Sequence, residues 1–233
     1  MSVWAVVPAY NEEERIAETV KALLTGANCQ TVIVVDDGSR DQTAKIAAGA
    51  GALVLRQPRN GGKGLALARG VGEAMAAQEK LSAVLLADAD LGASAANLGP
   101  LVEAVRDGFD MAIASFASRG GFGVAKGIAA RGIAALTGCT FESPLSGQRA
   151  LSARALPLVL SVPPGWGVEV AMTVRALRQG FGVVEVPLEL SHRETKRDLA
   201  GFLHRGRQCW GIVATLIALA REGAGKPREG WAG

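Results

Sequence analysis

Asp88 and Asp90 stand two residues apart in "LLADADLGAS" (85–94), where an apolar run gives way to a turn. Side chains alternate along extended backbone, so carboxylates at i and i+2 point the same way. Like charges held that close repel unless a cation or a shared proton lies between them. The pair is therefore a metal site or a coincidence of turn chemistry, and the rest of the chain must decide. Three more polar clusters follow apolar runs in the same manner: "PAYNEEE" (8–14), "DDGSRD" (36–41) and "RNGGKG" (59–64). Each alone has an ordinary reading. Asn11 could cap a helix whose first turn carries acids, "DDGS" could be a turn, and "NGGKG" a tight loop into a helix.

The elements that must position these residues follow from the pattern around them. Apolar runs at 3–9, 31–37, 52–57, 83–89 and 110–116 read as strands. They are nearly continuous rather than alternating, which suits parallel strands covered on both faces. Between them, 11–26, 40–51, 62–78 and 95–108 carry apolar residues at helical spacing and close near a glycine or polar breaker. That order predicts an α/β fold, a doubly wound, mostly parallel sheet flanked by helices. After residue 117 the rhythm changes. The Gly-rich "ASRGGFGVAKG" (117–127) reads as a mobile loop, 124–138 as a helix and 139–151 as irregular. A helix over 165–180, a strand over 181–190 and a long final helix over 198–222 follow, and a polar tail (223–233) is expected to be disordered. No linker is long enough to require two independent domains, so 1–222 is expected to form one.

Composition narrows the function classes. The chain has 233 residues, 49% hydrophobic and 20% charged, and its 30 glycines follow no period, which excludes collagen-like and low-complexity readings. A net charge of +3 with 5% aromatic residues gives no ground for nucleic-acid binding. Cys29, Cys139 and Cys209 are odd in number, far apart and without CxxC spacing. They indicate neither a disulfide framework nor a zinc site, and a reducing cytosol is expected. The N-terminus has no basic segment, and its apolar run is cut by Pro8, unlike a signal peptide. The longest apolar stretch, "WGIVATLIALA" (210–220), is well short of the roughly 20 residues that span a bilayer and suits a core or interfacial helix.

In an open α/β sheet, ligands bind beyond the carboxyl ends of the strands. Four polar clusters in succession at such ends mark that edge as a site. Lys63 does not sit in the Walker pattern, and "PAYNEE" stands where a dinucleotide-binding chain would carry G-x-G-x-x-G, so neither nucleotide fold is indicated. Taken in order, "VVPAYNEEERI", "VVDDGSRDQT", "RNGGKGLALARG" and "LLADADLG" resemble the family 2 glycosyltransferases with the GT-A fold, nearest the dolichyl- or polyprenyl-phosphate sugar transferases. The resemblance covers 3–92, with weaker echoes at "SGQRAL" (146–151) and "GWGVEVAM" (165–172). It is specific for the family and unspecific for donor sugar or acceptor. Two rivals stand beside it. A sugar nucleotidyltransferase would want a Gly-rich basic loop after the first strand, and a catalytically silent nucleotide-sugar sensor would not need Asp88, Asp90 and Lys63 intact.

The resemblance implies transfer of a sugar from a nucleoside-diphosphate sugar, with inversion and with Mg²⁺ or Mn²⁺. Residues 1–117 would form the nucleotide-sugar half and 118–222 the acceptor half. Pro8, Tyr10, Asn11 and Glu12 would line base and ribose, and Asp36 and Asp37 would grip base and ribose hydroxyls. Lys63 would meet a phosphate or base edge, while Asp88 and Asp90 would hold the metal on the donor diphosphate, Asp90 being catalytic. The residue types agree: carboxylates accept from ring N–H and ribose O–H groups, and Tyr10, the sole tyrosine, offers a flat stacking face. A divalent cation stabilises charge developing on the leaving diphosphate. Gly92 stands where dolichyl-phosphate transferases often carry Gln, so the metal needs another ligand, and His192 is the candidate. An acceptor phosphate needs no strong base; a hydroxyl would, with Glu169 as candidate. The basic segment 191–208, with Arg193 and Arg197, suits an anionic acceptor or a membrane surface. Polyprenyl phosphate is the expected acceptor, with a small phosphorylated one, as in glucosyl-3-phosphoglycerate synthases, the alternative. The protein is expected in the cytoplasm, peripheral at the inner face of the membrane through 208–222, with a homodimer compatible and the donor base and sugar open.

Overall fold

The computed structural model describes residues 2–77, 81–116, 123–161, 167–190 and 199–223, the backbone alone over 199–208. Four apolar runs become parallel strands: β1 (Ser2–Ala9), β2 (Thr31–Asp36), β3 (Leu53–Arg56) and β4 (Leu81–Leu86). They are joined by α1 (Ile16–Thr25), α2 (Thr43–Gly49) and α3 (Lys63–Ala76). A 3₁₀ segment (Gly92–Leu98) leads into α4 (Gly99–Arg106) and then β5 (Met111–Ser115). Next come α5 (Gly123–Thr137), β6 (Arg149–Ser152), the single turn α6 (Pro157–Leu160), α7 (Val168–Arg178), β7 (Val183–Pro187) and α8 (Leu199–Arg221).

β1 shows why its sequence is apolar throughout. Val3, Ala5 and Val7 pack with Ile16, Val20 and Leu23 of α1, whereas Trp4 and Val6 pack on the opposite face with Leu67 and Val71 of α3. A strand covered on both faces has no solvent side to make polar. A third apolar cluster joins Ala129 and Ile133 of α5, Val170 and Val174 of α7, and Ile212 and Leu219 of α8.

The sheet has seven strands in the order β3-β2-β1-β4-β6-β5-β7, drawn from both sides of residue 117. Its middle departs from the expected pattern. Residues 139–151 were expected to be irregular throughout, but Arg149–Leu151 belong to β6, which inserts antiparallel between β4 and β5. The strand is four residues long and begins on an arginine, too short for any periodic signal. Its consequence for the site is directional. β1, β2, β4, β5 and β7 finish at one edge, and β6 starts there, so the residues before β6 meet the ends of its neighbours.

Candidate active site

The loops after β1 and β2 are stitched to each other at that edge. Asn11 takes a left-handed backbone (φ 55) and its Oδ1 accepts the Arg40 N–H at 2.9 Å. The Asn11 N–H donates to Ser39 Oγ at 3.0 Å, and the Glu12 N–H donates to Thr43 Oγ1 at 2.8 Å. Asn11 is thus a cross-loop tie and not the cap of α1; the N-cap position is Arg15, which makes no side-chain cap bond, and the Ile16 N–H donates to the Glu12 carbonyl at 3.0 Å. Tyr10 is left 41% exposed at the mouth, and Pro8 is half-buried beneath it in register with Val35.

Asp36 and Asp37 are both buried, and the structure gives them framework contacts. Asp36 Oδ1 accepts the Ser39 N–H at 2.9 Å, and its Oδ2 lies 3.2 Å from Arg56 Nε in an ion pair that lacks hydrogen-bond alignment. Asp37 accepts from two successive amides, Gly61 at 2.7 Å and Gly62 at 2.8 Å, one on each carboxylate oxygen. Carboxylate-to-amide bonds of this kind are strong, and here they fix the entry to α3. Lys63, the first residue of that helix, is delivered to a fixed place.

At that place Lys63 Nζ lies 2.8 Å from Asp88 Oδ1 and 3.0 Å from Glu169 Oε1. Burial alone would depress the ammonium, but the Asp88 and Glu169 charges outweigh it and hold its pKa above the ordinary lysine value. Glu169 is in the first turn of α7, after Gly167 in a left-handed conformation. The other Asp88 oxygen accepts from Gln148 Nε2 at 2.6 Å. Gln148 is 1% exposed and sits immediately before β6. Sequence reasoning marked "SGQRAL" as an echo and assigned Gln148 no role, because a buried glutamine in an irregular stretch carries no spacing signal.

The same stretch supplies two more parts. A Cβ on Gly147 would lie 2.4 Å from Lys63 Nζ and 2.9 and 3.0 Å from the Asp88 oxygens, so only glycine lets this backbone approach the ion pair. Arg149 is fully buried, with no carboxylate in direct contact among the described residues. It donates to the carbonyls of Ser146 (2.9 Å) and Pro144 (3.2 Å) and to Thr173 Oγ1 (2.8 Å), clamping the loop before β6 onto α7. Burial pulls its pKa down to about 10, against the raising influence of the Glu169 and Glu185 charges.

Asp90 is held by its backbone. Its carbonyl accepts from Arg15 at 3.0 Å, while Thr19 Oγ1 donates to the Ala89 carbonyl at 2.9 Å and accepts the Gly92 N–H at 2.8 Å. Its half-exposed carboxylate makes no hydrogen bond or ion pair among the described residues. Gly92 has φ 56, a left-handed backbone that strains most side chains, and a Cβ there would lie 2.6 Å from Glu18 Oε2, so a larger residue would carry strain and displace the end of Glu18. The donor chemistry fits a hard divalent cation: an oxygen ligand not otherwise engaged at Asp90, next to a carboxylate at Asp88 already shared by Lys63 and Gln148. Among the described residues no group of three or more His, Cys, Asp or Glu forms a closed metal cage. His192, Arg193 and Arg197 lie outside the described residues, as do most of the 117–127 loop and the 223–233 tail. All three cysteines are unpaired, and burial pushes the Cys29 thiol up to about 12.

Residues 4–156, which carry all four loops and β6, match the model of Glycosyl transferase family 2. The chain belongs to that family. Among curated relatives, family 2 likeness extends along 93% of this chain and 91% of the undecaprenyl-phosphate mannosyltransferase of Micrococcus luteus, at 30% identity. The polyprenol monophosphomannose synthase of Mycolicibacterium smegmatis is 30% identical over 81% of this chain and 77% of its own length. Other matches are partial: glycosyltransferase AglJ of Haloferax volcanii is 31% identical over 80% of this chain and 62% of its own length. An uncharacterized Methanocaldococcus jannaschii protein is matched over 46% of its own length. Of solved structures, glucosyl-3-phosphoglycerate synthase from Mycobacterium tuberculosis, in complex with Mn²⁺, UDP and phosphoglyceric acid, superposes with TM-score 0.76. It is 27% identical, covering 98% of this chain and 80% of that one. The family's mostly parallel, helix-flanked sheet is the one seen here, so the expected fold class holds, with β6 as its antiparallel member.

Proposed function

We propose that the protein transfers a sugar from a nucleoside-diphosphate sugar to a phosphate oxygen of polyprenyl phosphate. The observation that carries this reading is the Lys63 ammonium bridging Asp88 and Glu169 at 2.8 and 3.0 Å. Glu169, the candidate base on the acceptor side, is tied to a cation. A hydroxyl nucleophile would have to give its proton to a carboxylate that is already engaged. A phosphate oxygen arrives ionised and needs only placement. It forms a bond to the anomeric carbon as the bond from that carbon to the donor diphosphate breaks, the nucleoside diphosphate leaves, and no proton changes hands.

Tyr10 stacks on the base, and Asp37 acts through the Gly61–Gly62 amides to set Lys63 against the phosphates. Asp88, pinned by Gln148, orients Lys63. Asp90 would hold Mg²⁺ or Mn²⁺ together with the donor diphosphate, and the cation would stabilise the charge of the leaving diphosphate. The two metals accompany UDP in the tuberculosis synthase structures, and the mannosyltransferase relatives support a lipid phosphate acceptor. No helix among the described residues is long and apolar enough to cross a membrane. Contact with lipid is therefore assigned to α8, which leaves Trp210 74% and Ile217 48% exposed. The phosphoglyceric acid in the TM-score 0.76 neighbour favours a second reading, a small soluble acceptor.

The test is an acceptor panel: undecaprenyl phosphate, 3-phosphoglycerate and neutral alcohols, each with UDP- and GDP-sugars and Mn²⁺. Product is expected with the lipid phosphate, and Glu169→Gln should retain turnover within about tenfold. Product with phosphoglycerate or an alcohol alone, abolished by Glu169→Gln, overturns the reading.

A further inference from the structure

We propose that the groove between the ends of β5 and β7 and the start of α5 binds the apolar chain of a prenyl-phosphate acceptor, an inference that rests on the transfer-to-phosphate reading. The groove has a volume of about 740 Å³, inside the ~300–1,000 Å³ of small-molecule sites. Phe116, Phe141, Pro187 and Leu188 supply its walls. Among the described residues its charged lining is Lys126 with Glu142 and Glu189.

Its place in the sheet ties it to the site. Leu188 donates its N–H to the Ser115 carbonyl at 2.8 Å, closing β7 onto β5 at the floor of the groove. One residue earlier, the Ala114 N–H donates to the Gln148 carbonyl at 3.0 Å. Gln148 in turn holds Asp88. The groove therefore lies two strands from β4, on the side away from β1 and β2, and is linked to Asp88 through Ala114 and Gln148. Its aromatic wall is built in advance: Glu185 of β7 accepts both the Glu142 N–H at 2.7 Å and the Ser143 N–H at 2.6 Å, fixing the loop that carries Phe141. Preformed walls spare a ligand the cost of ordering them.

The balance of groups separates two acceptor classes. A small polyanion such as phosphoglycerate needs an excess of cations, and among the described residues the lining has one lysine against two glutamates. Lys126, which forms no ion pair among the described residues, suits a single phosphate head. Two phenyl rings, a proline and a leucine suit hydrocarbon, for which binding grows with each buried methylene.

Calorimetry on the full chain with UDP and Mn²⁺, below the micelle concentration, tests this with farnesyl phosphate, inorganic phosphate and 3-phosphoglycerate. Farnesyl phosphate is expected to bind at least about 30-fold more tightly than the other two. Leu188→Glu should weaken farnesyl phosphate about tenfold or more, with inorganic phosphate and UDP within twofold of wild type. Phe141→Ala provides a second variant that adds no charge. If either loses its fold, the chain-length comparison on wild type decides. Equal binding of farnesyl and inorganic phosphate, or tightest binding of phosphoglycerate, overturns the proposal. A parallel transfer assay keeps the two readings apart. Sugar transfer to phosphates regardless of chain length sinks the groove alone, and chain-dependent binding without transfer sinks the reaction and leaves the groove.

Discussion

Replacing Gln148 should disable the site without touching any group that meets substrate. Its Nε2 donates to Asp88 Oδ2 at 2.6 Å from a position 1% exposed to solvent. Gln148→Leu keeps the volume and removes the donor. A hydrogen bond to a charged group contributes roughly 1.5–3 kcal/mol, and about 1.36 kcal/mol is tenfold in rate. With Asp88 free to rotate and Lys63 following it, kcat/KM should fall by roughly 10- to 150-fold. Gln148→Glu is the sharper perturbation, because it sets a second carboxyl against Asp88 in nearly the same shape. Two carboxyls that close share a proton, so their apparent pKa rises as a pair. Protonated, the introduced acid donates as glutamine does; ionised, it repels Asp88. Activity relative to wild type should therefore climb as pH falls from about 8 to about 5, while Gln148→Leu stays uniformly low. The assay is release of nucleoside diphosphate at saturating donor, with melting temperature measured alongside. Wild-type kcat/KM in the Leu variant, or a flat ratio across pH in the Glu variant, refutes the argument that Gln148 sets Asp88.

Asp90→Asn should lose about a hundredfold or more in turnover and its response to added Mn²⁺, with little change in melting temperature; full activity in excess EDTA would contradict this. Gly147→Ala forces a methyl to within 2.4 Å of Lys63 Nζ, so turnover should drop at least about tenfold while calorimetric stability changes by roughly 1–2 kcal/mol. Trp210→Ala should reduce cosedimentation with anionic vesicles about threefold or more and leave UDP binding alone; equal cosedimentation argues against α8 as the lipid contact. The Cys29 thiol, raised to about 12 by burial, should resist alkylation at pH 8 in the native protein and react on unfolding, as peptide mass mapping would read. Its neutral form is the one the fold accommodates. Stability from it is thus full below the ordinary thiol value and lost as pH rises towards the folded one.

The first four strands were legible because their signals are local. Apolar runs ended where β1, β2, β3 and β4 end within about three residues, and each polar cluster followed its strand to the same edge. The framework around individual carboxylates was not legible. Asp36 and Asp37 are expected as ligand contacts, and the structure adds a turn bond from Ser39 to Asp36 and two glycine amides, 24 and 25 positions away, on Asp37. "SGQRAL" stood out as an echo of the family, but the strand β6 and the role of Gln148 did not, for a related reason. A four-residue strand in the middle of a sheet is specified by its neighbours, and a glutamine aimed at Asp88 lies 60 positions from it in sequence.

The reversed direction of β6 has a mechanical consequence. In a purely parallel sheet every connection returns on the far side, and loops at the site end can vary only one strand at a time. Here the chain from α5 enters the sheet through the site itself, and Arg149 locks that entry to α7 from below. An insertion or deletion over 139–146 would reshape the wall carrying Phe141 while Asp88, Lys63 and the nucleotide loops keep their places in the β1–β4 ladder. On the proposed function, choice of acceptor is thereby separable from grip on the donor, and an acceptor-swapping design should begin with that one segment.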